Sequence, residues 1–200
     1  MKILFLKIPA MRFYKGAVRE DMPLGPAGEA LDPEAVYEKY NFDPVKAPNG
    51  AFCLGWFDAG DEGLPVENIG DTDLEAELAE HVLVVWCAGV EKDRTAVVGW
   101  YADAVVNRGY EELTFDGGYV QTYNVMDEAA NCVLLPETER SYLRWAVPEA
   151  EQNGWGMSRK NIWFAREPQA AAYLKKLTEE ITAYRGENWL YRYPESPEEE

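Results

Sequence analysis

One histidine is all that this chain offers for conventional acid–base chemistry. His81 stands at the head of the apolar run HVLVVWCAG, where a core or strand-edge role is expected. A Ser-His-Asp set could be assembled only through it, and no GxSxG elbow is present. No P-loop occurs, and no GxGxxG follows a strand pattern. Cys53, Cys87 and Cys132 are isolated in apolar surroundings. They form neither a zinc knuckle nor a disulfide framework and read as buried thiols. Carboxylates abound, but no spacing singles out a pair. Asp21, Asp103 and Asp116 qualify only because they flank strand patterns. The expectation is no catalytic residue, no metal and no cofactor.

Binding groups are more plentiful. Trp56, Trp86, Trp100, Trp145, Trp155 and Trp163 fall in or beside strand patterns or a Gly-rich loop. A base stacked on such a ring gains on the order of 1–3 kcal/mol. Asn41, Asn124, Asn161 and Ser158 could read a base edge, while Arg12, Lys15, Arg159 and Lys160 could hold phosphates. Packing competes for the same rings, and Trp86 inside VLVVWC reads as core. In VVGWYADAVV, Trp100 and Tyr101 must point to opposite faces of a strand. One ring therefore faces inward, and the other is exposed or covered by a loop.

The elements that would position these residues alternate mostly between strands and turns. Strands are expected at 2–8, 51–57, 81–89, 95–110, 117–126 and 131–136, with a turn at 91–94 and a bulge near Gly99 or Ala102-Asp103. Residues 139–146 suit a strand or a short helix, and 153–165 a Gly-rich loop entering a strand. Short helices are expected at 32–40, with Asp32 as N-cap and Pro33 at N1, and at 73–80. The clearest helix is 168–185. Pro168 opens it, Gly186 follows it, and Leu174, Leu177, Ile181 and Tyr184 make its apolar face. This pattern predicts an α+β fold: a small curled β-barrel flanked by short helices, with a long C-terminal helix. One domain over 1–190 and an acidic, disordered tail over 191–200 are expected.

Net charge is −17, which opposes nucleic acid overall. The charge is nevertheless polarised. Residues 1–19 carry Lys2, Lys7, Arg12, Lys15 and Arg19 with no acid, whereas 58–80 carry nine acids and no base. Residues 140–166 carry five bases against Glu149 and Glu151, so two basic segments could meet in space. No apolar run approaches the roughly 18 residues of a membrane span. Lys7 and Pro9 interrupt the apolar start, so it reads as a strand and not as a signal peptide. A cytoplasmic protein is expected.

The segments MRFYKG, YNF, VVGWYADAVV, YNV, NCVLLP and GWGMSRKNIWFA together resemble an uncharacterised bacterial domain found N-terminal to HNH-type nucleases and other defence proteins. The similarity spans residues 11–165. The central hairpin is also similar to PUA-like barrels such as the EVE, YTH, ASCH and SRA domains. The resemblance implies a reader of a modified nucleobase in DNA or RNA. It points to Tyr14, Lys15, Asn41, Trp100, Tyr101, Tyr123, Asn124, Ser158, Asn161 and Trp163 for the base, while Arg12, Arg159 and Lys160 are expected at phosphate from their charge. This chain departs from the pattern in the bases Arg159 and Lys160 before Asn161, and in Asp103. The alternatives are a sensor or sponge for a free nucleotide-like molecule, a carboxylate-based enzyme, and a protein-interaction module using the acidic surface.

Overall fold

The computed structural model describes residues 1–91 and 94–195. The strands are β1 (Lys2–Lys7), β2 (Val45–Ala47), β3 (Gly50–Gly55), β4 (Leu78–Glu91), β5 (Arg94–Thr114), β6 (Val120–Glu128), β7 (Cys132–Leu134) and β8 (Ile162–Trp163). They form one sheet in the order β2-β3-β6-β5-β4-β1-β8, with β7 also paired to β5. β1 and β4 are parallel, and every other named pair is antiparallel.

The sheet is buried on both sides. In a two-sided strand consecutive apolar residues serve opposite faces, so the pattern runs on without polar alternation. β1 divides Leu4 and Leu6 from Ile3 and Phe5. β4 divides Val84 and Trp86 from Leu83, Val85 and Cys87. Trp100 and Tyr101 split in the same way, and neither is exposed. Tyr101 enters the first core, where Phe42 lies edge-on at 5.7 Å. Trp100 enters the second, stacked on Trp145 at 5.6 Å and met edge-on by Tyr184 at 5.5 Å.

The architecture is α+β, mostly sheet with few short helices, but the expected barrel does not close. The sheet is open, ending in β2 and β8, which are strands of three and two residues that do not meet. The long β5 spans the fold by changing partners. Its first part pairs with β4 and β7, and its far end with β6 alone. The C-terminal helix is shorter than expected. It is a 3-10 turn over Pro168–Ala170 followed by helix Ala171–Ala183, with Leu177 buried against the second core.

The helix expected at 73–80 does not form. Asp73 Oδ1 accepts the Glu75 amide and closes a turn, and Leu78 already belongs to β4. Residues 32–40 form two 3-10 turns separated by extended Val36, with Asp32 capping Glu34 as expected. His81 lies in a bulge of β4 with φ of 58°, exposed, its Nδ1 2.8 Å from Asp103. The expected 91–94 turn includes Lys92 and Asp93, and the acidic tail includes 196–200, all outside the described residues. Before that tail, Trp189 and Leu190 are buried in the first core. No described helix is long and apolar enough to cross a membrane.

Gly99 makes the central crossing possible. A Cβ there would lie 2.3 Å from the Val133 carbonyl oxygen and 2.6 Å from the Phe42 ring. Backbone cannot yield as a side-chain tip can, so Gly99→Ala is expected to cost about 3 kcal/mol in chemical denaturation. Trp100→Ala should cost about 3–5 kcal/mol. An unchanged midpoint for Gly99→Ala would contradict this packing of β7 and Phe42.

Candidate functional site

The parallel ladder of β1 and β4 ends at Lys7 and Cys87, where the Ile8 amide donates to the Cys87 carbonyl at 2.8 Å and β4 runs on to Glu91. Just beyond, three clefts border Gly89. The first, about 380 Å³, is lined by Lys7, Leu24, Pro26, Phe57, Arg159 and Lys160, with Glu38 and Asp58. The second, about 530 Å³, lies over Met11, Met22, Val98, Arg12 and Arg19. The third, about 240 Å³, runs between Lys7, Arg94 and Glu149. Crevices outside the carboxyl ends of parallel strands are common ligand sites because the chain must loop away there. The first two volumes lie in the range of small-molecule pockets.

The shared wall, residues 9–31, contains little regular structure, so its backbone needs other partners. Asp21, 2% exposed, accepts the amides of Arg12, Phe13 and Tyr14 at 2.5, 2.8 and 3.2 Å. Arg140, 4% exposed, donates to the carbonyls of Met11, Arg12 and Leu135. Together these buried ions hold the wall from its donor and acceptor sides. Burial lowers the Arg140 guanidinium pKa, while the phenol of Tyr14 and the carboxylates of Glu137 and Asp21 act against that shift.

A second clamp sets the opposite wall. After β3 the backbone of Trp56 and Phe57 runs on without a ladder partner, and two asparagines supply one. Asn41 takes the Trp56 amide at 2.9 Å and donates to its carbonyl at 3.0 Å. Asn124 does the same for Phe57, at 3.0 and 2.9 Å. The Tyr110 hydroxyl donates to the Phe57 carbonyl and accepts the Ala59 amide. Asp58 is thereby fixed at the cleft. Glu38, three residues before Asn41, is brought to the same lining.

The protein as a whole is strongly acidic, yet seven cationic and seven acidic side chains line the three clefts. An anion thus meets a locally neutral surface. Several of these cations already have partners. Lys7 lies 3.5 Å from Glu149 and Arg12 2.9 Å from Glu137, and Arg159 pairs with Glu151. Burial pushes the Glu38 carboxyl from its ordinary 4.5 up to about 7, and the charge of Asp58 adds to the rise.

Most of the residues expected to bind a base are engaged in contacts within the fold. Asn41 and Asn124 are clamps. Tyr14 donates its hydroxyl to the Pro9 carbonyl, and Tyr101 donates its own to the Asn41 carbonyl. Trp163 packs 4.5 Å from Phe5 and donates its indole N–H to Glu167. Ser158 donates to the Ile162 carbonyl and accepts the Lys160 amide, closing the turn. Lys15 lines none of the three clefts; its Nζ donates to the Leu190 carbonyl, and burial lowers it to about 8. Tyr123 lines a separate apolar groove with Phe52 and Met126. Trp100 and Tyr101 are the two core rings described above.

Only Arg159, Lys160 and Asn161 reach the first cleft, and Arg12 the second. The two basic segments do meet there, since the Lys7 amide donates to the Asn161 carbonyl. Glu38, Asp58, Lys7 and Gly89 were not among the expected site residues. The one sequence signal for Glu38 is its place in YEKYNF beside Asn41. Among the described residues, no group of three or more His, Cys, Asp or Glu could hold a metal ion. The chain matches no family model, no curated protein and no solved structure.

Two predictions follow from the clamps and the buried acid. Asn124→Leu leaves the Phe57 amide without a partner and should cost about 2–3 kcal/mol, read by denaturant unfolding. Glu38 binds more protons folded than unfolded between pH 4.5 and 7, so its contribution to stability is complete below pH 4.5 and lost as pH rises through 7. The wild type should therefore lose more Tm than Glu38→Gln between pH 5 and 8. Parallel pH profiles for the two proteins would contradict this.

Proposed function

We propose that the protein is a non-catalytic binding module for a nucleotide-like ligand held in the cleft at Gly89. The observation that carries this reading is the composition of the first cleft. Pro9, Leu24, Pro26, Leu31 and Phe57 offer apolar walls for a flat ring. Glu38 and Asp58 offer hydrogen-bonding groups for its edge, and Lys7, Arg159 and Lys160 offer cations for an attached anion. The resemblance to PUA-like base readers supports the same ligand class. An aromatic stacking pocket is not part of the proposal, because Trp100, Tyr101 and Trp163 are buried in the cores.

The net charge of −17 favours a free nucleotide over a long polyanion. A base presented by DNA or RNA is the second reading, favoured by the exposed Arg19 and Lys160 along the clefts.

Gly89 supplies a clean test. A Cβ there meets nothing within 4 Å, so Gly89→Phe should fill the cleft and leave the fold intact. Thermal shift is measured with nucleosides, nucleoside monophosphates and short oligonucleotides at low and moderate salt. A ligand that binds only the folded state raises Tm by mass action. Nucleoside monophosphates are expected to raise the wild-type Tm by several degrees at millimolar concentration and to leave Gly89→Phe unmoved. Shifts confined to oligonucleotides and fading with salt would favour the second reading. Equal shifts in both proteins, or none in either, would overturn the assignment of this cleft.

A further inference from the structure

We infer that the first cleft selects a guanine-type base, one whose edge presents two adjacent N–H donors, over bases that place an acceptor there. The inference rests on the nucleotide reading above and adds the identity of the base.

The starting observation is the state of Glu38. The residue is 9% exposed and lines the cleft. No side chain among the described residues donates to it. Of the cations that line the cleft, Lys7 and Arg159 pair with Glu149 and Glu151, and Lys160 is exposed. Asp58 adds a second carboxylate to the lining, with one oxygen committed to the Gly60 amide at 3.0 Å.

Glu38 and Asp58 therefore offer acceptors, because an ionised carboxylate only accepts. The partner that satisfies it best is a planar group with two parallel N–H bonds, which a carboxylate receives side by side. Guanine carries that arrangement in its ring N–H and neighbouring 2-amino group. Hypoxanthine keeps the ring N–H and lacks the amino group. Adenine and cytosine set a ring nitrogen lone pair beside their amino group, and that lone pair would face a carboxylate oxygen. Uracil flanks its N–H with two carbonyls.

Apolar neighbours raise the stakes of a mismatch. Ile8, Pro9, Leu24, Pro26 and Phe57 line the same cleft, so an oxygen left unpaired beside a bound base is costly. A site built to pair a polar edge rejects analogues lacking it far more strongly than an apolar pocket rejects a changed shape. A lining that holds both carboxylates and cations fits a molecule with a donor edge and an anion.

The test is calorimetric titration of the whole protein with GMP, IMP, AMP, CMP and UMP at pH 7.5. GMP is expected to bind at least about tenfold tighter than IMP and than the other three. Glu38→Gln presents one donor and one acceptor, so it should weaken GMP by about tenfold or more and bring the five Kd values together. Its fold is checked by circular dichroism, and Asp58→Asn serves as a second variant with the same sign and a smaller effect. Nucleotide binding without a GMP preference, or a preference that persists in Glu38→Gln, would overturn this inference and leave the cleft reading standing. Binding of none of the five would overturn both.

Discussion

The backbone of Trp56 and Phe57 leaves β3 into the interior without a neighbouring strand, and a buried peptide group cannot remain unpaired. Asn41 and Asn124 resolve this by turning their side-chain amides into substitute peptide partners, one for each residue. Much of the cleft geometry depends on that substitution. It fixes Asp58 at the cleft, anchors the turn that carries Glu38, and presents the Asn41 carbonyl to the Tyr101 hydroxyl. The central strand, the loop after β3 and the acidic wall are thereby joined through a few hydrogen bonds. The Asn124 bonds to Phe57 and the Tyr101 bond to Asn41 are buried, where an unmade bond costs more than a made one contributes.

A second consequence comes from burying the sheet on both faces. The apolar side chains of β1 and β4 are committed to two cores, so the strand interiors hold no ligand surface. What remains accessible is the end of the parallel pair, where the chain must turn away. The wall there is built by Asp21 and Arg140, which satisfy the backbone of residues 11–14 as a strand ladder would elsewhere. The acids that dominate the total charge are offset at this one place by bases from residues 7–19 and 94–160.

The strands were legible in the sequence because two-sided burial leaves uninterrupted apolar runs, as in VLVVWCAG. The α+β class and the C-terminal helix follow from the same patterns. Closure was not legible, because nothing in VKA or NIW says whether β2 and β8 meet. The lining of the candidate cleft was legible only in part. Arg159 and Lys160 stood out as exposed bases, whereas the tryptophan and asparagine patterns did not show which side chains the fold would engage. A tryptophan that stacks on a base and one that stacks on Trp145 have the same sequence signature, and so do an asparagine reading a base edge and one clamping a peptide. Glu38 was invisible because a carboxylate in a polar turn acquires its character only from the walls that the fold brings around it.

The central claim is that the surface around Gly89 is where this protein meets its ligand. The most direct measurement is a titration of isotope-labelled protein with nucleoside monophosphates, followed by amide chemical shifts. Shifts concentrated at Lys7–Ala10, Leu24–Pro26, Gly89 and Arg159–Asn161 are predicted. Shifts concentrated instead on the groove of Phe52, Tyr123 and Met126, or on the His81–Asp103 bulge, would contradict the account.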